Sequence, residues 1–118
     1  MKYIVAIIQP FRLDEVRQAL LSIPEFPGLS VSKIEGFGQG RARAHAAGIE
    51  PVTDFAHKLK LECAVKEDMV QSVVNVIATH AHTGNRGDGK IFVIDLLSVT
   101  RIRTGERDED GLWSPTGH

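Results

Sequence analysis

Apolar positions along the chain repeat with two periods, and the switches between them mark the elements. Residues 2–9 (KYIVAIIQ) are rich in Ile and Val and predict a buried strand, which Pro10 stops. From 12 to 23, Leu13, Val16, Leu20 and Ile23 recur at helical spacing, with Arg12, Asp14, Glu15, Arg17 and Gln18 elsewhere. Pro24, Pro27 and Gly28 end that helix. Residues 29–37 predict a second strand running into Gly36-Phe37-Gly38. Residues 58–65 alternate: Leu59, Leu61, Cys63 and Val65 share one face, Lys58, Lys60 and Glu62 the other, as in a half-buried strand. Residues 67–80 set Val70, Val73, Val74 and Ile77 on one helical face, with Glu67 and Asp68 in the first turn where the helix dipole favours them. Residues 90–99 (KIFVIDLLSV) predict the last strand.

The order β-α-β-β-α-β is the split βαβ, or ferredoxin-like, α+β arrangement, an antiparallel sheet with its helices on one face. Strands 1 and 4, with Leu96, Leu97 and Val99, carry too many apolar positions for one face, which predicts that a second subunit covers part of the other. This arrangement hosts many functions, so the fold alone names none.

Composition narrows the field. At 118 residues, without linker, repeat or low-complexity tract, the chain reads as one domain with a core of its own. Fourteen Lys+Arg against fifteen Asp+Glu give a formal charge of −1, which argues against nucleic-acid binding or a polybasic membrane contact. Cys63, the single cysteine, makes no intrachain disulfide. No apolar run approaches the roughly 20 residues of a membrane span, and no secretory leader is evident, so a cytoplasmic address is expected.

Three segments depart from plain scaffold. Residues 38–57 join two strands that a tight hairpin could link; a loop of that length is either a long hairpin or a functional segment, and its Gly, Ala and Arg content favours a docking or gating loop. Residues 83–90 (TGNRGDGK) let backbone N–H groups converge on an anion beside Lys90, or form only a tight turn. The run 84–90 also fits the start of a Walker A pattern, but Ile91 stands where Ser or Thr is needed and a strand follows instead of a helix. In the RIRTGER run at 101–107, strand alternation predicts Arg101 and Arg103 on one side, as a phosphate-binding fork or as a solvated basic edge. His45, His57, His80, His82 and His118 show no zinc-type spacing, Cys63 falls on a core face, and no catalytic constellation is present. Trp113, in the tail at 108–118, is a candidate to dock on the body or on a partner.

Together these segments resemble the PII signal-transduction family. IIQPFRLDEV at 7–16 is similar to that family's AIIKPFKLDEV opening, Gly36-Phe37-Gly38 to the GFG at the base of its T-loop, and Asp54-Phe55 with KLKLE at 58–62 to the loop's far base. TGNRGDGKIF at 83–92 matches TGxxGDGKIF, and RIRTGE at 101–106 is the family's own string. The resemblance implies a domain over 1–107, with 38–57 as T-loop, 82–90 as B-loop and 101–107 as C-loop. It also implies a homotrimer binding ATP or ADP in clefts between subunits. Carried over, Gly87, Asp88, Gly89, Lys90, Arg101 and Arg103 contact phosphates, Gly36 and Gly38 contribute backbone, and Ser30 lies near the adenine.

Many members also bind 2-oxoglutarate beside Mg-ATP, for which Gln39 and Lys58 are the matching residues. Here GFGQGRAR replaces the family's GFGRQKGH and the loop is one residue shorter, which predicts weak or absent 2-oxoglutarate binding. Pro51 stands at the position of the tyrosine that enteric members modify, and Thr53 is the loop's only hydroxyl. The implied protein is a regulator and not an enzyme. Its T-loop controls a target, a transporter, enzyme or transcription regulator, in nitrogen metabolism by resemblance. The alternative is an accessory protein of metal or other ion transport that binds metal through its histidines.

Overall fold

The computed structural model describes residues 1–36, 48 and 56–115. Its elements are β1 (Lys2–Ile8), α1 (Leu13–Leu21), β2 (Ser30–Gly36), β3 (Ala56–Val65), α2 (Val70–Ala81), β4 (Lys90–Asp95) and a short α3 (Glu109–Leu112). A 3-10 turn leads into each long helix, at Pro10–Arg12 and at Glu67–Met69. The sheet runs β2-β3-β1-β4 with every neighbouring pair antiparallel, the predicted arrangement.

One face of the sheet is the core. Ile4, Ala6 and Ile8 of β1 and Leu59, Leu61, Cys63 and Val65 of β3 pack under Val16 and Leu20 of α1 and Val73 and Ile77 of α2. Burial pushes the Cys63 thiol up to about 11, as an inert core thiol should behave. The opposite face carries Tyr3, Val5 and Ile7 in register with Ile94, Phe92 and Lys90 of β4, and with Ala64, Glu62 and Lys60 of β3. Among the described residues nothing covers the open face of β4: Phe92 is 48% exposed, Ile94 50% and, just beyond the strand, Leu97 96%.

Two expectations change. The last strand stops at Asp95 instead of 99, because Asp95 pairs with Lys2 and β1 has no further residue to pair with. One more backbone bond, Leu96 N–H to Met1 O at 3.2 Å, follows. The first helix is shorter than 12–23. Ser22 caps it, its N–H and hydroxyl both reaching Gln18 O, and Glu25 then takes a positive φ of 63°. The tail also holds structure that the periodicity did not suggest. Asp108 N–H bonds Val99 O, α3 follows, and Leu112 is buried while Trp113 is half-buried.

Candidate functional site

The glycine-rich segment is held by one carboxylate. Asp88 accepts from the Thr83 N–H at 2.7 Å, the Gly84 N–H at 2.9 Å and the Thr83 hydroxyl. These bonds, the Thr83 hydroxyl first, hold its carboxyl below the usual range, and His82 Nδ1 lies 3.7 Å away. The Asp88 side chain is thus turned onto its own loop, which leaves only its backbone to meet an anion. Gly87 (φ 89°) and Gly89 (φ 99°) sit where L side chains are strained. At both the space is also taken. A Cβ on Gly89 would fall 1.7 Å from Ile7 O, and one on Gly87 would fall 2.9 Å from Lys58 Nζ and 3.1 Å from Gln9 Nε2. Lys58 donates to Gly87 O, tying β3 to the loop. Beside this cradle, Asp88, Gly89 and Lys90 line a hollow of about 270 Å³ with Ile7, Ala81 and His82. Gly36, at the end of β2 opposite Ala56, belongs to the same end of the sheet.

Arg101, Arg103 and Ser30 lie at the other end. Ser30 pairs with Glu62, and a second hollow of about 350 Å³ opens there among Tyr3, Ser30, Glu62, Ala64, Gly111 and Leu112. Ile7 and Tyr3 are four residues apart on β1, about 13 Å at the usual rise. The chain beyond β4 forms a small hairpin closed by the Thr100–Arg107 bridge. Alternation therefore fails for the arginines, since a turn occupies 102–104. Arg101 is buried, with its N–H on Glu106 O and its Nη1 on Glu106 Oε1 at 2.9 Å, whereas Arg103 is exposed. Thr104 Oγ1 donates to the same Glu106 oxygen. The Arg101 Nε and Nη2 are buried without a hydrogen-bond partner among the described residues. Buried donors of a charged group are costly to leave unmet, so this guanidinium has two N–H groups still to be matched by an acceptor.

Gly38, Gln39 and most of the 38–57 loop, with His45, Pro51, Thr53, Asp54 and Phe55, lie outside the described residues, as does His118. Among the described residues no three His, Cys, Asp or Glu side chains gather as a metal site; His57 stands exposed 3.9 Å from Glu35. No described helix is long and apolar enough to cross a membrane. Three participants escaped the sequence reading. Gln9 approaches Gly87 from the end of β1, while Tyr3 and Glu62 share the second hollow. Alternation already sets Glu62 on the face of Lys58 and Lys60 and could have set Tyr3 there too, but no spacing shows that the two meet.

Comparison with known proteins agrees with this geometry. A family model described as Nitrogen regulatory protein P-II matches residues 1–106. Nitrogen regulatory protein GlnK of Escherichia coli (strain K12) is 43% identical over 113 residues, 95% of this chain and 100% of that protein. Nitrogen regulatory protein P-II 1 of the same strain is 46% identical over 110 residues, 92% of this chain and 97% of that protein. Among solved structures, Arabidopsis thaliana PII bound to citrate superposes with a TM-score of 0.77 at 41% identity, covering 93% of this chain and 90% of that one. Family match, identity over nearly the full length and shared sheet lead to one conclusion: the chain belongs to the P-II family of nitrogen regulatory, signal-transducing proteins.

Proposed function

We propose that this P-II protein is a non-enzymatic, cytoplasmic sensor that binds ATP or ADP between the subunits of a homotrimer. It answers by changing how its 38–57 loop docks on a target protein, a membrane transporter or a regulatory enzyme. The domain comprises 1–107, with 82–90 and 101–107 as its ligand-binding loops and 108–118 as a tail. The observation that carries this reading is the division of the site between the two ends of the sheet. The cradle of Gly87, Asp88, Gly89 and Lys90 stands at one end and the under-satisfied Arg101 at the other. One polyphosphate meets both only if a second copy brings its Arg101 end to the first copy's cradle. Arg103 and Ser30 then join from that neighbour, and Gly36 and Gly38 contribute backbone at the loop base. The uncovered apolar face of β1 and β4 supplies the surface on which the copies associate.

The residues fit the ligand. Glycines at positive φ let successive backbone N–H groups turn toward one anion, and Lys90 and the arginines supply charge. Bound nucleotide supplies no chemistry beyond differential affinity, and ATP and ADP favour different populations of loop states. The Asp88 carboxylate is engaged with Thr83 and Gly84 and is not offered to Mg²⁺, while Gln39, the candidate ligand, lies outside the described residues. Lys58 is bonded to Gly87 O, so a 2-oxoglutarate carboxylate must draw it from that bond. With GFGQGRAR in place of the family's GFGRQKGH and a loop one residue shorter, weak or absent 2-oxoglutarate binding is expected.

Calorimetry with ATP and ADP tests the proposal. Lys90→Ala and Arg103→Ala should each weaken binding by about 1.5–3 kcal/mol, the range for a contact to a charged group. Trimers and fold should survive. Unchanged affinity in both variants overturns the reading.

A further inference from the structure

The hollow at the Ser30 end is built around one polar pair. Tyr3, the chain's only tyrosine, stands on the open face of β1 opposite Ala64, and its hydroxyl donates to Glu62 Oε2. Lys60 Nζ lies 3.6 Å from the other carboxylate oxygen. Both members of the pair line the hollow. The bond registers on each: the Tyr3 phenol is pushed up to about 12, first by the carboxylate it serves, and Glu62 is held below its ordinary value by the same bond. At neutral pH Glu62 is therefore a carboxylate, which accepts hydrogen bonds and donates none. That wall repels phosphate. It suits a part of the ligand that offers N–H or O–H donors.

We infer that Tyr3 is a positioning residue for the nucleoside half of the ligand. It pins the Glu62 carboxylate so that the remaining lone pairs accept from a sugar hydroxyl or an amino group of the bound nucleoside. This rests on the nucleotide reading above and adds a residue to it. Without the phenol the carboxylate is free to swing toward Lys60 and solvent, and every bound ligand must then order it again. A purely structural role is a weak rival. The Glu62 side chain is 27% exposed, and partly solvated polar pairs contribute little to folding.

The test is calorimetry on wild type, Tyr3→Phe, Glu62→Gln and the double variant. The probes are ATP, 2′-deoxy-ATP, 3′-deoxy-ATP, purine riboside triphosphate and inorganic tripolyphosphate. Tyr3→Phe should lower ATP affinity roughly three- to tenfold, the effect of one hydrogen bond. It should leave tripolyphosphate affinity unchanged, because that probe uses only the cradle and the arginines. One nucleotide analogue should lose its sensitivity to Tyr3→Phe and so identify the donor, and the substitution should add little in the Glu62→Gln background. Unchanged ATP affinity in Tyr3→Phe, a parallel fall for tripolyphosphate, or equal sensitivity of all four nucleotides overturns the inference while the nucleotide reading stands. A wild type that binds no nucleotide overturns both.

Discussion

Asp88 shows how a residue can belong to a site without touching what the site holds. The family pattern places it among phosphate contacts, yet its carboxylate is spent on Thr83 and Gly84, and its work is to shape the loop. A depressed carboxyl favours the folded loop above its unfolded value and loses that contribution as pH falls through the folded one. The clamp is therefore intact at neutral pH and opens only in acid. The Asp88 carboxyl carbon, followed by NMR, should titrate with a midpoint below the ordinary 3.8, and the Thr83 and Gly84 amides should move with it. A midpoint at or above 3.8 contradicts the clamp.

Gly89 and Gly105 make a second test at the same scale. Both have positive φ, but a Cβ on Gly105 meets open space while one on Gly89 meets the Ile7 carbonyl. Gly105→Ala should cost about 1–2 kcal/mol from backbone strain alone. Gly89→Ala should cost clearly more, because β4 must shift from β1 where it begins. Denaturant midpoints decide the order.

The elements were legible wherever the signal was local. Alternation at 58–65 and helical spacing around Val73 and Ile77 need no knowledge of the rest of the chain, and both reappear as buried faces. The end of β4 was not legible, because it depends on where β1 begins, almost a hundred residues earlier in the chain. The arginines failed for a related reason: alternation was extended past the last paired residue into a turn closed by Thr100 and Arg107. Gly-rich strings identified the cradle, but its latch to Lys58 is a contact across the fold that no spacing encodes. A prediction follows from the local part. Ile77 is 1% exposed at the centre of the α2 contact, so Ile77→Ala should destabilise by about 2–5 kcal/mol, whereas Val74→Ala, only partly buried, should cost less. Urea unfolding with an unchanged slope measures the difference.

At the scale of the molecule, the open face is the largest feature that one chain leaves unexplained. Phe92 and Ile94 are each about half exposed, and Leu97 almost wholly so. A charge at Leu97 has almost nothing among the described residues to disturb. The pair Ile94→Asp and Leu97→Asp should therefore leave the circular dichroism of the fold nearly unchanged while dissociating the proposed trimer, as read by analytical ultracentrifugation. Nucleotide binding should vanish with assembly. A variant that stays trimeric removes this face from the interface.

The separation of the two hollows along β1 has a consequence in mixtures. A chain damaged at Lys90 keeps a sound Ser30 end, and a chain damaged at Arg103 keeps a sound cradle. Unfolded and refolded together, two preparations that bind nothing tightly should yield hybrid rings in which the good half of one chain faces the good half of the other. With random assembly of equal amounts, about a quarter of the junctions regain both halves. Two silent proteins would thus recover a signal by exchanging neighbours, as complementing alleles do, whereas a site contained within one chain would stay silent in every mixture.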